Sequence, residues 1–373
     1  MKFIAFSDSH FHPHNVGATM LEGGMNSRLM DVGDAVREVY QYAKDNDIDH
    51  VVFGGDLFHT KKNVDVAAFN LAWKIIKSEA GDIKTLMIPG NHDIASPDGA
   101  QTSLEAFDGG NVSVFSKPGV SFLYDPADAS NNCFLCFAPF PAVNGKFNRD
   151  KFFSNIETIK KKIERLEKES LTDAQKILVT HAYTNELMGR HHGLDGDISV
   201  AELTEYFDLI LLGHHHVFDT VETPGAGVRA ISLGCVLPLT FADTTPRGFT
   251  VIDTEKDPLF QFVGTSAPEF LPGVDPDYIL KEKDHLFENA IVRVRVKSKA
   301  EAKAVEKKLI KAKARDWSIE IGESPAAGSV RLEMGDSLKT NEILDSYMKS
   351  DWGKTELDPK KLLKRGLSLI EGR

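Results

Sequence analysis

The sequence has few cysteines, no long apolar run and no excess of positive charge. Only three cysteines occur in 373 residues, which excludes a small fold held together by disulfides. No apolar stretch approaches the roughly 20 residues that a membrane-spanning helix needs, so we expect a cytoplasmic protein without membrane contact. The net charge of −11 argues against a protein that coats nucleic acid through bulk positive charge.

The spacing Cys133-x-x-Cys136 also occurs in zinc and redox sites. Here it lies in the apolar run Cys133–Ala138, and no second cysteine pair is present to complete a zinc site. We therefore predict that both cysteines belong to a buried strand.

Residues 1–268 alternate short apolar runs with segments of helical period. Strand–helix–strand alternation near the N-terminus predicts βαβ units and a mainly parallel sheet, and later runs with short connections predict further strands. The predicted fold class is α/β, as a two-sheet α/β sandwich. The predicted strands are Lys2–Ser7, His50–Gly54, Lys84–Pro89, Gln175–Thr180, Asp208–Leu212, Gly227–Leu233, Gly248–Asp253 and Leu259–Thr265. The predicted helices are Asp31–Asn46, Val64–Ala80 and Asp150–Ser170, the last lying on the domain surface.

Residues beyond 265 form smaller predicted segments. Proline and glycine in Ser266–Pro276 predict a linker. The pattern of residues 277–336 predicts a small α+β domain. That of residues 337–373 predicts a helical tail that docks on the body or on a partner. The predicted order in the small domain is strand Ala290–Lys297, helix Lys299–Lys313, strand Trp317–Ile321 and strand Ser329–Glu333.

The predicted helix of the small domain has lysines spaced by four residues, which places them on one face. A solvated helix face and a contact with the phosphate backbone of DNA both explain this pattern. The candidate DNA-contacting residues are Lys299, Lys303, Lys307 and Lys311.

Five polar motifs each follow a predicted strand. In α/β sheets, ligand sites gather at the carboxyl ends of the strands, so five such strands deliver their polar residues to one crevice. A single histidine at a strand end is usually just a hydrogen-bonded polar residue, but five motifs in this order are not explained by chance. The motifs are Asp8-Ser9-His10, Gly54-Gly55-Asp56-Leu57-Phe58-His59, Gly90-Asn91-His92-Asp93, Thr180-His181-Ala182 and Gly213-His214-His215-His216.

The motifs supply seven candidate metal ligands. Imidazole with carboxylate and amide oxygen favours Mn²⁺, iron or Zn²⁺ over Ca²⁺ or Mg²⁺. Seven ligands are too many for one transition metal and fit two metals that share a carboxylate. Two metals about 3.5–4 Å apart clamp the attacking and leaving oxygens of a phosphoryl transfer. The candidates are Asp8, His10, Asp56, Asn91, His181, His214 and His216.

Over residues 1 to about 265, these motifs resemble those of the calcineurin-like metallophosphoesterase superfamily. The resemblance implies that fold and two divalent metal ions, with Mn²⁺ the expected one. It implies that the first metal binds Asp8, His10, Asp56 and His216. It implies that the second metal binds Asn91, His181 and His214, with Asp56 as the bridge.

Within that superfamily the sequence is most similar to DNA-repair nucleases of the SbcD type. The similarity lies in Gly55–His59, in Asn26–Asp31 and in Leu237–Thr240 followed by Pro246–Phe249. It implies a double-strand exonuclease and single-strand endonuclease that acts in DNA repair, recombination or replication. It further implies an SMC-like ATPase partner of the SbcC type, which the tail would bind, a DNA-capping role for residues 277–336, and a homodimer.

Two histidines are candidate catalytic residues. We predict that His92 is the general acid for the leaving oxygen and that His59 orients the phosphate or the strand. Asp93 either fixes the tautomer of His92 or caps a following helix.

Two other functions stay open from the sequence. One is a small-molecule phosphodiesterase or phosphatase, which would need neither the small domain at residues 290–334 nor a partner-binding tail. The other is a metal-poor scaffold that binds proteins, against which the complete set of seven candidate ligands argues.

Overall fold

The computed structural model describes residues 1–124, 131–168, 174–223, 225, 227–243, 245–256 and 258–322. The chain forms two compact units, Met1–Ile321 and Gly322–Arg373, and the first is the one described below. The predicted strand Ser329–Glu333 and the predicted tail, residues 337–373, lie outside the described residues.

The strands of the described residues follow one another along the whole first unit. In chain order they are β1 Lys2–Phe6, β2 His50–Phe53, β3 Lys84–Met87, β4 Val112–Val114, β5 Gly119–Leu123, β6 Cys133–Ala138, β7 Ala142–Val143, β8 Lys146–Phe147, β9 Gln175–His181, β10 Leu209–Gly213, β11 Asp219–Thr223, β12 Gly227–Ser232, β13 Gly248–Asp253, β14 Phe260–Gly264, β15 Phe270–Val274, β16 Ile291–Val296 and β17 Asp316–Ile321. The α-helices are α1 Ser27–Asp45, α2 Val66–Trp73, α3 Arg149–Lys168, α4 Asn185–His192, α5 Pro276–Lys281 and α6 Lys299–Lys311.

Two six-stranded sheets form the body. Their strand orders are β14-β13-β1-β2-β3-β4 and β11-β12-β10-β9-β6-β5. Strands β1 to β4 pair in parallel, and so do β6, β9, β10 and β12. The antiparallel pairs are β1–β13 and β13–β14 in the first sheet and β11–β12 and β5–β6 in the second. The predicted two-sheet α/β sandwich is therefore confirmed.

The two sheets pack face to face, with helices on their outer faces. Alternation along β1 decides which side chain goes where: Phe3 and Ala5 enter the core between the sheets, while Ile4 and Phe6 face α1 and α2. Each buried phenylalanine contributes roughly 1.5–3 kcal/mol of transfer free energy. Helix α3 buries Phe152, Ile156, Ile159 and Ile163 against the second sheet, which confirms its predicted surface position.

Helix α1 begins four residues before the predicted Asp31. The Asn26 side chain caps it by accepting from Leu29 N at 3.0 Å, and caps of this kind stabilise a helix by about 1 kcal/mol. Helix α2 continues as a π-helix over Lys74–Glu79.

The predicted linker Ser266–Pro276 is wrong, because it contains β15. This strand pairs in parallel with β16, and the register shifts between Leu271 and Val274. Pro272 and Gly273 fall within that irregularity on an edge strand, where the missing proline N–H costs no ladder hydrogen bond. Phe270, at the start of β15, is 4 % exposed and packs against Phe241 with ring centroids 4.9 Å apart.

The small sheet, β15-β16-β17, has its own core. Its central members are Val292, Val294 and Val296 of β16 with Val305 and Leu309 of α6. These residues confirm the strand–helix–strand order predicted for residues 290–321.

Cys133 and Cys136 are both buried thiols on β6. Cys133 faces the core between the sheets and Cys136 the core under α3. Thiols on opposite faces of a strand cannot bind one metal, so the predicted structural role is confirmed. Burial raises the pKa of Cys133 to about 12.

Among the described residues, no helix has the length and apolar character needed to cross a membrane.

Candidate metal centre

The five predicted motifs meet in one crevice. Three of them follow β1, β2 and β3 of the first sheet, and two begin in the last residues of β9 and β10 of the second. The sheets touch at this edge: His181 Nδ1 lies 2.8 Å from Gly54 O, and His214 N donates to Asp8 Oδ2 at 3.0 Å.

Four of the seven candidate ligands have left-handed backbone conformations. Their φ angles are 52° for Asp8, 47° for His10, 61° for Asp56 and 89° for His214. Such conformations are uncommon for residues other than glycine and persist where surrounding contacts enforce them. Here Asp8 N donates to Gly55 O at 2.9 Å and His10 N to Asp56 O at 3.1 Å, so the first two motifs hold each other.

Two glycines allow this close approach. A Cβ on Gly90 would lie 2.2 Å from Asp56 Oδ1, and a Cβ on Gly213 would lie 2.2 Å from Gly54 O. Only a residue without a side chain fits where backbone and ligand come so near.

One group of candidate ligands comprises Asp8, His10 and His216. Nε2 of His10 lies 3.0 Å from Nε2 of His216 and 3.7 Å from Asp8 Oδ1. His216 Nε2 lies 3.6 Å from that same oxygen.

A second group comprises Asp56, His181 and His214. His181 Nε2 lies 3.1 Å from Asn91 Oδ1 and 3.5 Å from Asp56 Oδ2. Because Asp56 Oδ2 is also 3.8 Å from His10 Nε2, this one carboxylate oxygen lies between the two groups.

These distances fit bound cations. Two nitrogen or oxygen ligands bonded to one ion at about 2.1 Å lie at most about 4.2 Å apart, and every separation above is shorter than that. Asp8 Oδ1 is buried and has no hydrogen-bond partner among the described residues. A buried carboxylate oxygen without a donor is costly, and a cation between Asp8, His10 and His216 would remove that cost.

The electrostatics favour neutral imidazoles at several of these positions. Burial lowers the pKa of His10 well below its usual range and that of His214 to about 2, which leaves their lone pairs free for a metal. At His181, burial also opposes the proton, but the Asp56 carboxylate outweighs it and raises the pKa to about 9. A cation would replace that proton, because its charge satisfies the same carboxylate.

His92 lies beside the seven candidates, and its ring centroid is 5.1 Å from that of His10. Its Nδ1 is 2.5 Å from the carbonyl oxygen of His59, so Nδ1 carries the hydrogen and donates it. Nε2 is the remaining nitrogen. His92 also forms a possible metal-binding group with His10 and Asp56, which the sequence did not indicate.

The His59 ring is half-buried and surrounded by other histidines. Its centroid is 5.2 Å from that of His12, 5.1 Å from that of His14 and 5.8 Å from that of His92. Its Nδ1 has no hydrogen-bond partner among the described residues.

Both predicted roles of Asp93 are wrong. Its carboxylate neither contacts the His92 ring, which is held by the His59 carbonyl, nor caps a helix, since none begins there. It accepts from the backbone N of Asp56 at 2.7 Å and of Gly90 at 2.9 Å. It also accepts from the backbone N of Leu57 at 3.0 Å and of Phe58 at 3.3 Å. Asp93 thus joins the second motif to the third, although burial and the Asp56 carboxylate raise its pKa.

Sequence reasoning missed three residues that support the cluster. The Ser7 hydroxyl donates to Asp8 Oδ2 at 2.5 Å, and the Tyr183 ring packs on His214 with centroids 3.8 Å apart. The Phe140 ring centroid is 5.9 Å from that of His214. Ser7 and Tyr183 are adjacent to the first and fourth motifs in the sequence, and this adjacency could have indicated them. Nothing in the sequence indicates Phe140.

The four candidate DNA-contacting lysines are exposed on α6. Lys311 pairs with Asp284 at 2.8 Å. Lys299, Lys303 and Lys307 have no ion pair among the described residues. Contact of the four lysines with DNA stays a prediction.

Residues 1–218 match the family of calcineurin-like phosphoesterases. The chain is 24 % identical over 233 residues to the DNA double-strand break repair protein Mre11 of Haloferax volcanii, which covers 62 % of this chain and 46 % of that protein. The chain thus spans about half the length of this relative.

Two solved structures are also similar. A dimetal phosphatase from Danio rerio is 12 % identical, with a TM-score of 0.40, over 67 % of this chain and 91 % of that one. The phosphopantetheinyl hydrolase of Mycobacterium tuberculosis is 12 % identical, with a TM-score of 0.38, over 62 % and 88 %.

Proposed function

The chain belongs to the calcineurin-like phosphoesterase family and is a hydrolase of phosphoesters, and we propose that its substrate is DNA. We infer a metal-dependent nuclease that acts as a double-strand exonuclease and a single-strand endonuclease in DNA repair, recombination or replication. The observation that carries the metal dependence is the pair of ligand groups on either side of Asp56 Oδ2. The choice of DNA is supported by the name of the Haloferax volcanii relative.

We propose the following metal-binding residues. Asp8, His10 and His216 would hold one divalent ion, Asn91, His181 and His214 would hold the other, and Asp56 would be shared between them. Mn²⁺ is the ion that we expect. When bound, such a pair polarises the phosphate and lowers the pKa of a bound water from 15.7 toward about 7.

The residues around the ions position the reacting groups. The backbone carbonyl of Gly54 orients His181 through Nδ1, which directs Nε2 toward the metal. His92, whose Nδ1 is bound to the His59 carbonyl, presents Nε2 to protonate the leaving oxygen, and the His59 ring orients the phosphate.

The open side of the cluster is where DNA would approach. The side chain of His216 is 39 % exposed, whereas Asp8 is fully buried. Asn91, His92 and His214 are half-exposed. A phosphodiester reaching these residues would meet the histidines and the amide first, because the carboxylates of Asp8 and Asp56 are buried.

Two further proposals follow from the resemblance to SbcD-type nucleases. Residues 277–336 would cap the DNA, with Lys299, Lys303 and Lys307 contacting phosphates, and residues 337–373 would bind an SMC-like ATPase. A homodimer is part of the same proposal.

The test combines metal analysis with two substrates. We expect about two Mn²⁺ ions per chain, Mn²⁺-dependent degradation of end-labelled linear and single-stranded DNA, and loss of both with chelator. A chromogenic phosphodiester in parallel reports the metal centre alone. Turnover of that diester without DNA degradation, even with an added ATPase partner, would indicate the small-molecule phosphodiesterase instead. A chain that binds no metal would be the scaffold considered above.

A further inference from the structure

A small pocket opens beside the metal centre. It has a volume of about 220 Å³ and borders Asn91. Its apolar side is formed by Ile94, Phe140 and Ala142, which make a hydrophobic cluster separate from the main cores. Because Asn91 also contacts His181, a molecule in the pocket would lie directly beside the candidate metal ligands.

The pocket walls are held in place by hydrogen bonds. One wall is the segment 94–97 and the other the turn 142–145. Gly145 N donates to Pro97 O at 3.2 Å. Lys151 Nζ ties the two segments together by donating to Asp98 O at 2.9 Å and Ala142 O at 3.0 Å. The pocket is therefore preformed.

Two cations line its outer edge. Lys61 and Lys62 border the pocket, are exposed and have no ion pair among the described residues. They follow His59, the residue proposed to orient the phosphate, by two and three positions in the sequence. Unpaired lysines beside an apolar surface provide the two contacts that a nucleotide needs, one for its phosphate and one for its base.

We propose that this pocket, which we call the Asn91 pocket, binds the base of the nucleotide next to the scissile phosphate, and that Lys61 and Lys62 contact the neighbouring phosphate. The inference rests on the proposed function and specifies its substrate. Drug-sized ligands occupy pockets of about 300–1,000 Å³, so the smaller Asn91 pocket takes one base and not a base pair. The nucleotide at the reaction site must therefore be unpaired.

The first test measures binding without turnover. Calorimetry on the Mn²⁺-loaded protein compares deoxyadenosine 5′- and 3′-monophosphate with 2-deoxyribose 5-phosphate. We expect that whichever of the two nucleotides has the higher affinity binds about 10-fold more tightly than the sugar phosphate. A difference of this size is typical of one base packed on a protein surface. Equal affinities would overturn the proposal.

A matched pair of variants localises the effect. Ala95 lines the pocket and is exposed, so Ala95→Trp fills the pocket without disturbing a core. Ala100 is also exposed, on the same loop, and does not border the pocket. We expect Ala95→Trp to remove the preference for the nucleotide and Ala100→Trp to keep it. An unchanged preference in Ala95→Trp would place the base elsewhere.

The lysines are tested through salt dependence. Lys61→Ala/Lys62→Ala should weaken binding of single-stranded DNA and reduce the salt slope by about 1.4, as loss of two single-strand phosphate contacts predicts. The control is Lys84→Ala/Lys161→Ala, which replaces two exposed lysines that do not border the pocket. Equal slopes in the two double variants would remove Lys61 and Lys62 from the proposal.

The outcomes separate this inference from the proposed function. If the protein prefers the nucleotide but degrades no DNA, the proposal for the Asn91 pocket stands and the proposed nuclease function is wrong. If the protein degrades DNA but binds the nucleotide and the sugar phosphate equally, the proposed nuclease function stands and the proposal for the Asn91 pocket is wrong.

Discussion

At the scale of single residues, His92 has two possible roles, as a proton donor or as a ligand. Its Nδ1 is bound to the His59 carbonyl, yet it also groups with His10 and Asp56. The two roles differ in how they depend on the leaving group. A proton donor matters for a poor leaving group such as a deoxyribose oxygen, whereas a ligand matters for every substrate.

We predict that His92→Ala slows DNA cleavage by about 10²–10⁴-fold, the range of general acid catalysis. Hydrolysis of a chromogenic diester should fall by less than about 10-fold, because nitrophenolate leaves without a proton. The rates with both substrates, together with the metal content, check this. His285→Ala, at an exposed position in the small domain, is the control. Equal losses with both substrates and loss of metal would make His92 a ligand.

Asp93 gives a prediction about stability. Each of its two carboxylate oxygens accepts hydrogen bonds from two backbone N–H groups. An asparagine replaces one of these oxygens by an NH₂ group, which cannot accept. Two buried donors then lose their partner at about 1–3 kcal/mol each. We expect Asp93→Asn to lower the free energy of unfolding by about 3 kcal/mol, measured from the urea midpoint at constant slope. Asp195→Asn, on an exposed loop, should stay within about 0.5 kcal/mol. Equal midpoints would contradict the role assigned to Asp93.

At the scale of elements, the loops after β2 and β3 must approach each other closely. We predict that Gly90→Ala displaces Asp56, because the added Cβ would lie 2.2 Å from its Oδ1 and 2.6 Å from its N. The variant should bind less metal and lose phosphodiester hydrolysis, measured by elemental analysis and a chromogenic substrate.

Gly189→Ala is the matched control for this substitution. Gly189 lies within α4, and a Cβ there meets nothing within 4 Å. We expect it to keep full activity and to gain up to about 1 kcal/mol of stability from helix propensity. If Gly90→Ala kept its metal as Gly189→Ala does, the close approach would not be required.

Elements also show where sequence reasoning succeeded and where it failed. The predicted strands agree with the observed ones to within one or two residues at most ends, because each is an apolar run bounded by polar residues. Strand β15 lies where the sequence predicts a linker, because the edge position that allows Pro272 in a strand is a property of the sheet. Short elements such as β4 and α4 were missed, because their apolar pattern is too brief to show a period.

At the scale of the whole molecule, Asp31 of α1 joins the small sheet region to the body. Its Oδ2 accepts from Arg28 at 2.8 Å and its Oδ1 from Arg315 at 2.6 Å. Arg28 is fully buried and also donates to Pro238 O at 2.6 Å. The Arg28 guanidinium lies 5.0 Å from the ring centroid of Phe270. The positive charge that Asp31 balances is therefore buried away from solvent.

We predict that Asp31→Asn lowers the free energy of unfolding by about 3 kcal/mol, since it leaves the buried Arg28 charge uncompensated. Arg315→Leu removes the more exposed partner and should cost about 1 kcal/mol. Urea unfolding measures both, and limited proteolysis between β14 and β15 reports whether the small sheet region has loosened. A similar decrease in the free energy of unfolding for the two variants would show that the burial of Arg28 does not determine the effect of Asp31→Asn.

The sequence by itself determined the kind of chemistry and where along the chain it lies. Polar motifs directly after apolar runs name the seven candidate ligands, because a strand end fixes which residues reach the crevice. Only the tertiary structure decided the partners. The contact between His10 and His216 joins positions 206 residues apart. Three of the four bonds of Asp93 and the Asn91 pocket likewise depend on segments distant in sequence. Their geometry follows from strand order and sheet packing, and no local pattern encodes either.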